Sequence, residues 1–387
     1  VTTKTRPKVA IACQGGGSHT AFTAGVLERL LAQDGDEFDV VALTGTSGGA
    51  MCAFLAWYGL RTGDAGKATQ LLREFWGEMA ARSIPERVAN DAFVFATKLR
   101  NNGYPVWQLS PSANPLASQG QRWLRAQLEQ RVDAASVEAL VGAPPATDGT
   151  DRPKLLVSAV DATDGSFSVF TDRPGSAADG GASGSSAGAP DEHADERRAR
   201  FGAEPKPLTI DAVVASAAVP PVFDAVEIPA ADGTVHRYWD GLLSQNPPVR
   251  NLLTWPERGW EKPDEIWLVR INPTSHHGPL DTLEDVEDRR NELAGSLSLR
   301  QELYFIDQVN EWLRSGAFSE AATERYKVVT VREVALDETR LDTPGPLGTS
   351  TKLDRDPGFL DDLRALGDRQ AAEFLADRTG DRYVVVE

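Results

Sequence analysis

Cysteine is nearly absent: Cys13 and Cys52 are the only two in 387 residues. Two cysteines make no disulfide framework, and both sit in apolar stretches, which reads as small buried side chains in a reducing compartment. Histidine is scarce too, with five: His19, His193, His236, His276 and His277. Nine of the 40 bases are lysine, and 57 acids outweigh them to a formal charge of −17. A surface this acidic repels phosphates, which argues against nucleic-acid partners and against loose docking on an anionic bilayer. A high-salt cytoplasm selects such a balance, and an acidic protein of a GC-rich bacterium has it as well; composition leaves both open. Long hydrophobic runs are also missing. Val40–Leu43 and Met51–Trp57 fall short of the ~20 apolar residues of a spanning helix, so no transmembrane segment is expected. Lys4, Arg6 and Lys8 precede the apolar Val9–Cys13, but that run ends at Gln14, short of the ~7–15 residues of a signal-peptide core. The expectation is a cytoplasmic protein.

The apolar runs that do exist are short and alternate with helical patterns. Val9–Cys13 ends at three glycines and reads as a buried parallel strand. Ala21, Ala24, Val26, Leu27, Leu30 and Leu31 recur at helical spacing. Val40–Thr44 is a second buried strand, Gly45–Gly49 a turn, and Ala50–Leu60 a largely buried helix. That order predicts an α/β fold with a parallel sheet. Thr69–Ala81, Gln119–Arg131, Thr209–Ala218, Asp281–Leu313 and Pro357–Leu375 read as helices. Leu155–Ala159 and Ser166–Phe170 flank Asp164-Gly165, a hairpin signal. Ile266–Ile271 and Val328–Val334 read as strands. Residues 1–380 are expected to form one domain. Within it, Pro174–Pro207 is rich in Gly, Ala, Ser and Asp with almost no apolar anchors, so it reads as a flexible insertion. A lid or surface-contacting loop is one role for it; a solvated loop expansion without a role is the simpler one.

Chemistry concentrates at two glycine-rich turns. Gly45-Thr46-Ser47-Gly48-Gly49 matches G-x-S-x-G, with a strand before it and a helix after it. Alone the pattern is weak, and a glycine-rich turn with a capping serine would satisfy it. In a strand–turn–helix setting it would push the serine hydroxyl out above the sheet, with the positive end of the helix near Gly48 favouring developing negative charge. Gly15-Gly16-Gly17 also follows a strand and opens a helix. Three glycines let backbone N–H groups approach a ligand, as an oxyanion hole requires. A P-loop would need Gly-Lys-Ser/Thr where Ser18-His19-Thr20 stands, and a dinucleotide loop would need glycine at Thr20. The few histidines leave little material for an ordinary catalytic triad. Asp240, in Tyr238-Trp239-Asp240-Gly241, follows two aromatics; burial there would raise its basicity enough to take a serine proton. A turn-forming Asp-Gly pair fits the same residues, and spacing alone does not choose.

Across nearly its whole length the chain resembles the patatin-like phospholipases and acyl hydrolases. A glycine-rich loop appears as Gln14-Gly15-Gly16-Gly17-Ser18-His19, followed by Ala21-Phe22 and Gly25-Val26-Leu27. The elbow appears as Leu43-Thr44-Gly45-Thr46-Ser47-Gly48-Gly49-Ala50. An Ala-Ser-x-x-x-Pro segment appears as Ala215-Ser216-Ala217-Ala218-Val219-Pro220, and an Asp-Gly-Gly motif as Asp240-Gly241-Leu242. Ile271-Asn272-Pro273 and the stretch from Lys352 to Leu375 also resemble bacterial members. The resemblance implies a three-layer α/β/α sandwich with a mainly parallel central sheet. It implies a Ser47–Asp240 dyad in place of a triad, with Gly15, Gly16, Gly17 and Gly48 as candidate oxyanion-hole residues. It implies no metal and no other cofactor. Leu242 departs from the second glycine of the motif. Thr20 and His19 stand where many members have glycine and arginine. Both departures bear on loop geometry rather than on the catalytic atoms.

The substrate class this implies is a hydrophobic carboxylic ester, a phospholipid or other acyl lipid, presented at a lipid surface. Hydrolysis of an intracellular polyhydroxyalkanoate storage polyester would use the same serine chemistry at a granule surface. A non-catalytic acidic scaffold is a third reading, which intact Ser47 and Asp240 argue against.

Overall fold

In the computed structural model, the described residues are 6–104, 115–143, 153–174, 204–220, 222–230, 232–255, 259–275, 279–342 and 347–377. The chain opens with strand β1 (Lys8–Cys13), a short turn of 3-10 helix (Gly17–Thr20), helix α1 (Ala21–Leu31), strand β2 (Asp39–Gly45) and helix α2 (Gly48–Thr62). Helices α3 (Ala65–Met79), α4 (Ile84–Asn101), α5 (Pro115–Glu129) and α6 (Ala134–Leu140) follow. Then come β3 (Lys154–Asp161), β4 (Phe167–Thr171), β5 (Glu204–Pro207), α7 (Ile210–Ser216), β6 (Val226–Pro229) and β7 (Val235–Asp240). The last third holds α8 (Asn251–Thr254), β8 (Glu265–Arg270), α9 (Leu283–Arg314), α10 (Glu320–Arg325), β9 (Thr330–Ala335) and α11 (Pro357–Asp377).

The strands form one sheet in the order β5-β4-β3-β2-β1-β8-β9, with the β6–β7 hairpin attached to β3 through β7. From β3 through β9 the path is parallel throughout, and β3–β4 and β3–β7 are antiparallel. Both faces of the sheet are covered. Along β1, Val9, Ile11 and Cys13 join one apolar cluster and Ala10 and Ala12 the other, and all five are fully buried. The first cluster takes Phe22 and Leu27 of α1, Phe54 and Trp57 of α2, Phe75 of α3, and Leu363 and Leu366 of α11. The second takes Leu252 and Leu253 of α8 with Leu299, Leu303 and Ile306 of α9. Each such side chain fully withdrawn from water stabilises the fold by roughly 1.5–3 kcal/mol. The continuous apolar reading of β1 and β2 follows from burial on two faces, and the architecture is the mixed α/β sandwich that the sequence suggests.

Several elements lie outside the sequence expectation, each for a physical reason. The β6–β7 hairpin is half-exposed, turning at Gly233, and Glu227, His236 and Arg237 interrupt its apolar residues, so it lacks an apolar run. Strand β5 carries two prolines and pairs with β4; it is the end of the segment read as an insertion, whose residues 175–203 lie outside the described residues. Helix α4 is inverted: its buried side chains are Asn90, Thr97 and Asn101, while Ile84, Val88, Phe93 and Phe95 are exposed. A capping box between Ser83 and Glu86 and a proline in the first turn start it, which helps a helix that buries little apolar surface.

Candidate active site

Strand β2 ends at Gly45 and α2 begins at Gly48, so the chain must reverse within two residues. Ser47 absorbs that turn with φ 56° and ψ −130°. It is the only non-glycine residue at positive φ among the described residues, a conformation that costs on the order of 1–3 kcal/mol and persists only where the surroundings enforce it. Enforcement comes from both sides. The Ser47 N–H donates to the Ser216 hydroxyl at 3.0 Å, and the Thr46 hydroxyl is tied to Gln245 O and Ser158. Behind the turn, a Cβ on Gly49 would collide with the Cys13 and Gln14 carbonyls, so only glycine lets α2 start this close to β1. The first N–H groups of α2, at Gly48 and Gly49, lack intrahelical acceptors and lie at its positive end.

Asp240 closes β7, which pairs with β3 at Ala159, while β3 lies next to β2. Its carboxylate is fully buried. Oδ1 accepts the Leu242 N–H at 2.7 Å, whereas Oδ2 has no hydrogen-bond partner of good geometry among the described residues. Burial pushes the carboxyl up to about 7; the Leu242 N–H and then the Ser47 hydroxyl, which lies close enough to act on it, pull the other way. Leu242, in place of a second glycine, keeps an ordinary backbone: the left-handed region holds no leucine among the described residues.

The glycine loop leaves the end of β1 beside the elbow, and Cys13 pairs with Gly45 across the two strands. A Cβ on Gly15 would stand 2.9 Å from Ser47 Cβ. Gly17 adopts φ 58°, and the Thr20 hydroxyl donates to its carbonyl at 2.6 Å. The expectation for Gly15 as an oxyanion donor is corrected: its N–H is already given to Asn246 Oδ1 at 2.7 Å, so it walls the site rather than reaching into it. Gly16, Gly17 and Gly48 keep their backbone N–H groups clear of the protein hydrogen bonds seen among the described residues.

Polar side chains from distant parts of the chain hold this loop from behind. Gln14 Oε1 accepts the N–H groups of Ile271 and Asn272, and Gln14 Nε2 donates to Gly295 O. Asn246 Nδ2 donates to the same carbonyl, and Asn272 Nδ2 donates to Gly15 O at 3.0 Å. Ser216, Asn246, Gly295 and the roles of Asn272 and Lys352 escape a reading of the sequence. Their only signal there is that Ser216, Asn272 and Lys352 fall in stretches resembling a family.

Neither histidine among the described residues hydrogen-bonds to Ser47 or Asp240. His19 is buried with Nε2 against Thr351 Oγ1 at 2.9 Å, and burial, helped by the nearby Lys352 charge, holds it well below its usual range. His236 pairs through Nδ1 with Asp161 at 2.7 Å. His193, His276 and His277 lie outside the described residues. Among the described residues no cluster of His, Cys, Asp and Glu could hold a metal ion, and no helix is long and apolar enough to cross a membrane.

A family model described as Patatin-like phospholipase matches residues 11–253, which runs from within β1 into α8 and takes in both turns. No curated protein matches the chain. Among solved structures, VipD from Legionella pneumophila is similar at 12% identity, over 94% of this chain and 67% of that one, with a TM-score of 0.33, a likeness too distant to bear on the site.

Proposed function

Because the chain belongs to the patatin-like phospholipase family, we propose that it is a lipid acyl hydrolase with Ser47 as nucleophile and Asp240 as general base. The observation that carries this reading is a strained Ser47 whose hydroxyl lies close enough to act on the buried Asp240 carboxylate, with Oδ2 engaged in no other hydrogen bond among the described residues. The Ser47 oxygen attacks the ester carbonyl carbon while Asp240 takes the hydroxyl proton. The carbonyl π pair moves onto its oxygen, and the Gly16, Gly17 and Gly48 N–H groups donate to that oxyanion. When the intermediate collapses, the bond to the alcohol breaks and the departing oxygen takes the proton from Asp240. Water then attacks the acyl-serine, giving its proton to Asp240. Collapse releases the carboxylic acid, and the proton returns to Ser47.

With a pKa near neutrality, Asp240 is matched to this work: basic enough to accept a proton, acidic enough to return it. Residues 1–380 are proposed to act as one hydrolase domain, and the acidic surface directs the enzyme to substrates of low negative charge. The test is turnover of neutral phospholipid vesicles, amorphous polyester granules and a soluble short-chain ester by the wild type and Ser47→Ala. Fatty-acid release from vesicles that Ser47→Ala abolishes is the expected result. Granule hydrolysis with inert vesicles would move the substrate to the storage polyesters. Activity that Ser47→Ala retains would overturn the nucleophile.

A further inference from the structure

Beyond the span matched by the family model, the chain delivers a cation to the back of the glycine loop. Lys352 Nζ donates to Asn272 Oδ1 at 2.7 Å. Asn272 Nδ2 in turn donates to the Gly15 carbonyl at 3.0 Å. That carbonyl belongs to the same peptide group as the Gly16 N–H, one of the groups proposed to hold the oxyanion. The three groups form a chain in which each donor polarises the next: ammonium, side-chain amide, backbone peptide. Hydrogen bonds linked in this way strengthen one another where water is excluded. Asn272 is 1% exposed, and a flipped amide would set Nδ2 against the Lys352 ammonium and Oδ1 against the Gly15 carbonyl.

The backbone of Lys352 is as closely engaged as its side chain. Gly17, at φ 58°, lies so near the Lys352 carbonyl that a Cβ there would collide with it. One residue earlier, Thr351 Oγ1 meets His19 Nε2 at 2.9 Å. Burial and the Lys352 charge disfavour a protonated His19, so the cation beside the loop comes from the segment before α11. Burial pulls the Lys352 ammonium below its usual range while Glu292 and Asp288 of α9 support its charge, and His19 is the titratable group of the loop that feels it.

We infer that Lys352 is a positioning residue which, through Asn272, orients and polarises the Gly15–Gly16 peptide so that the Gly16 N–H becomes a stronger oxyanion donor. The inference rests on the proposed Ser47 chemistry. Lys352 does not touch the reacting atoms; its effect appears only as charge builds on the substrate oxygen. It therefore acts on kcat and leaves substrate binding alone.

The test compares wild type, Lys352→Met, Lys352→Arg and Asn272→Ala on a soluble ester. A trifluoromethyl ketone serves as a mimic of the tetrahedral intermediate, and thermal melting monitors the fold. Loss of an oxyanion donor outright lowers kcat by ~10²–10³, so weakening one through Lys352→Met should lower kcat by about tenfold with KM unchanged. Ketone affinity should fall by the same factor. Lys352→Arg, which keeps a charged donor, should recover most of both losses, and Asn272→Ala should repeat the Lys352→Met split from the other end of the link. Unchanged kcat and ketone affinity in Lys352→Met would overturn the inference. So would a rise in KM alone, an arginine variant no better than the methionine one, or failure of both Lys352→Met and Asn272→Ala to fold, which would make the link structural. A wild type that turned over no ester and bound no ketone would instead overturn the hydrolase reading.

Discussion

The elbow at Ser47 and the loop at Gly15–Gly17 leave the ends of neighbouring parallel strands, yet they are built differently. The elbow's turn is written in its own neighbourhood, by β2, two flanking glycines and the start of α2, and Ser216, Ser158 and Gln245 prop it from a distance. The loop is made from afar. Asn246 is 231 positions from Gly15, Asn272 is 257, and Thr351 is 332 from His19. A locally built turn stores strain where a nucleophile must be exposed. A remotely built loop lets the far end of the chain set the direction of backbone donors. Loss of an elbow residue should therefore remove chemistry, and loss of a loop support should loosen it.

The largest expected effect is at the elbow. Ser47→Ala should lower kcat by roughly 10⁴-fold or more without unfolding the protein, as steady-state turnover and a thermal melt would record. Ser47→Gly should be equally inactive but more stable, because glycine accepts φ 56° without the cost an L side chain bears. A glycine variant that melted below wild type would mean the elbow is not strained.

Asp240→Asn comes next, with a loss of at least ~10²-fold in kcat from the missing base and an opposite effect on stability. The folded state holds Asp240 near 7, above the ~3.9 of an unfolded aspartate. Its contribution to stability is thus complete below ~3.9 and is lost as pH rises through about 7. Removing the ionisable group should raise the melting temperature at about pH 8 and leave it little changed at about pH 4. Equal shifts at both values would remove the buried carboxylate from the account.

The difference between the two turns also explains what could be read from the sequence. Strands β1 and β2, the elbow and the β3–β4 hairpin are visible because apolar runs and turn glycines carry local instructions. Helix α4 is not, since its apolar residues point outward, nor is β7, since His236-Arg237 and Tyr238-Trp239 break any alternation in a half-exposed hairpin. Asp240 stands out by the aromatics before it, but that its buried carboxyl comes within reach of the Ser47 hydroxyl depends on β2, β3 and β7 meeting. Asn246 and Gly295 carry no local mark at all: an asparagine before two prolines and a glycine inside a long helix become loop supports only once β1, α8 and α9 are packed.

Among those supports, Asn246→Ala should leave the buried Gly15 N–H without its acceptor, costing on the order of 1–3 kcal/mol of stability, with a smaller loss of kcat than Ser47→Ala; chemical denaturation and turnover measure the two. A kcat as low as that of Ser47→Ala would make the loop as indispensable as the elbow and erase the contrast. The smallest effect is expected for His236→Gln, whose partner is Asp161 rather than Ser47: turnover should stay within about threefold of wild type. An inactive His236→Gln would restore a triad.

The central claim, a serine activated by a buried aspartate, is tested most directly by the rate at which a fluorophosphonate labels the protein across pH. Mass spectrometry of the adduct identifies the residue. The wild type should carry the label on Ser47, at a rate that rises through an apparent pKa of about 7 and then levels as Asp240 becomes ionised. Asp240→Asn should label slowly and without that rise. Label on another residue, or an Asp240→Asn profile that superposes on the wild type, would contradict it.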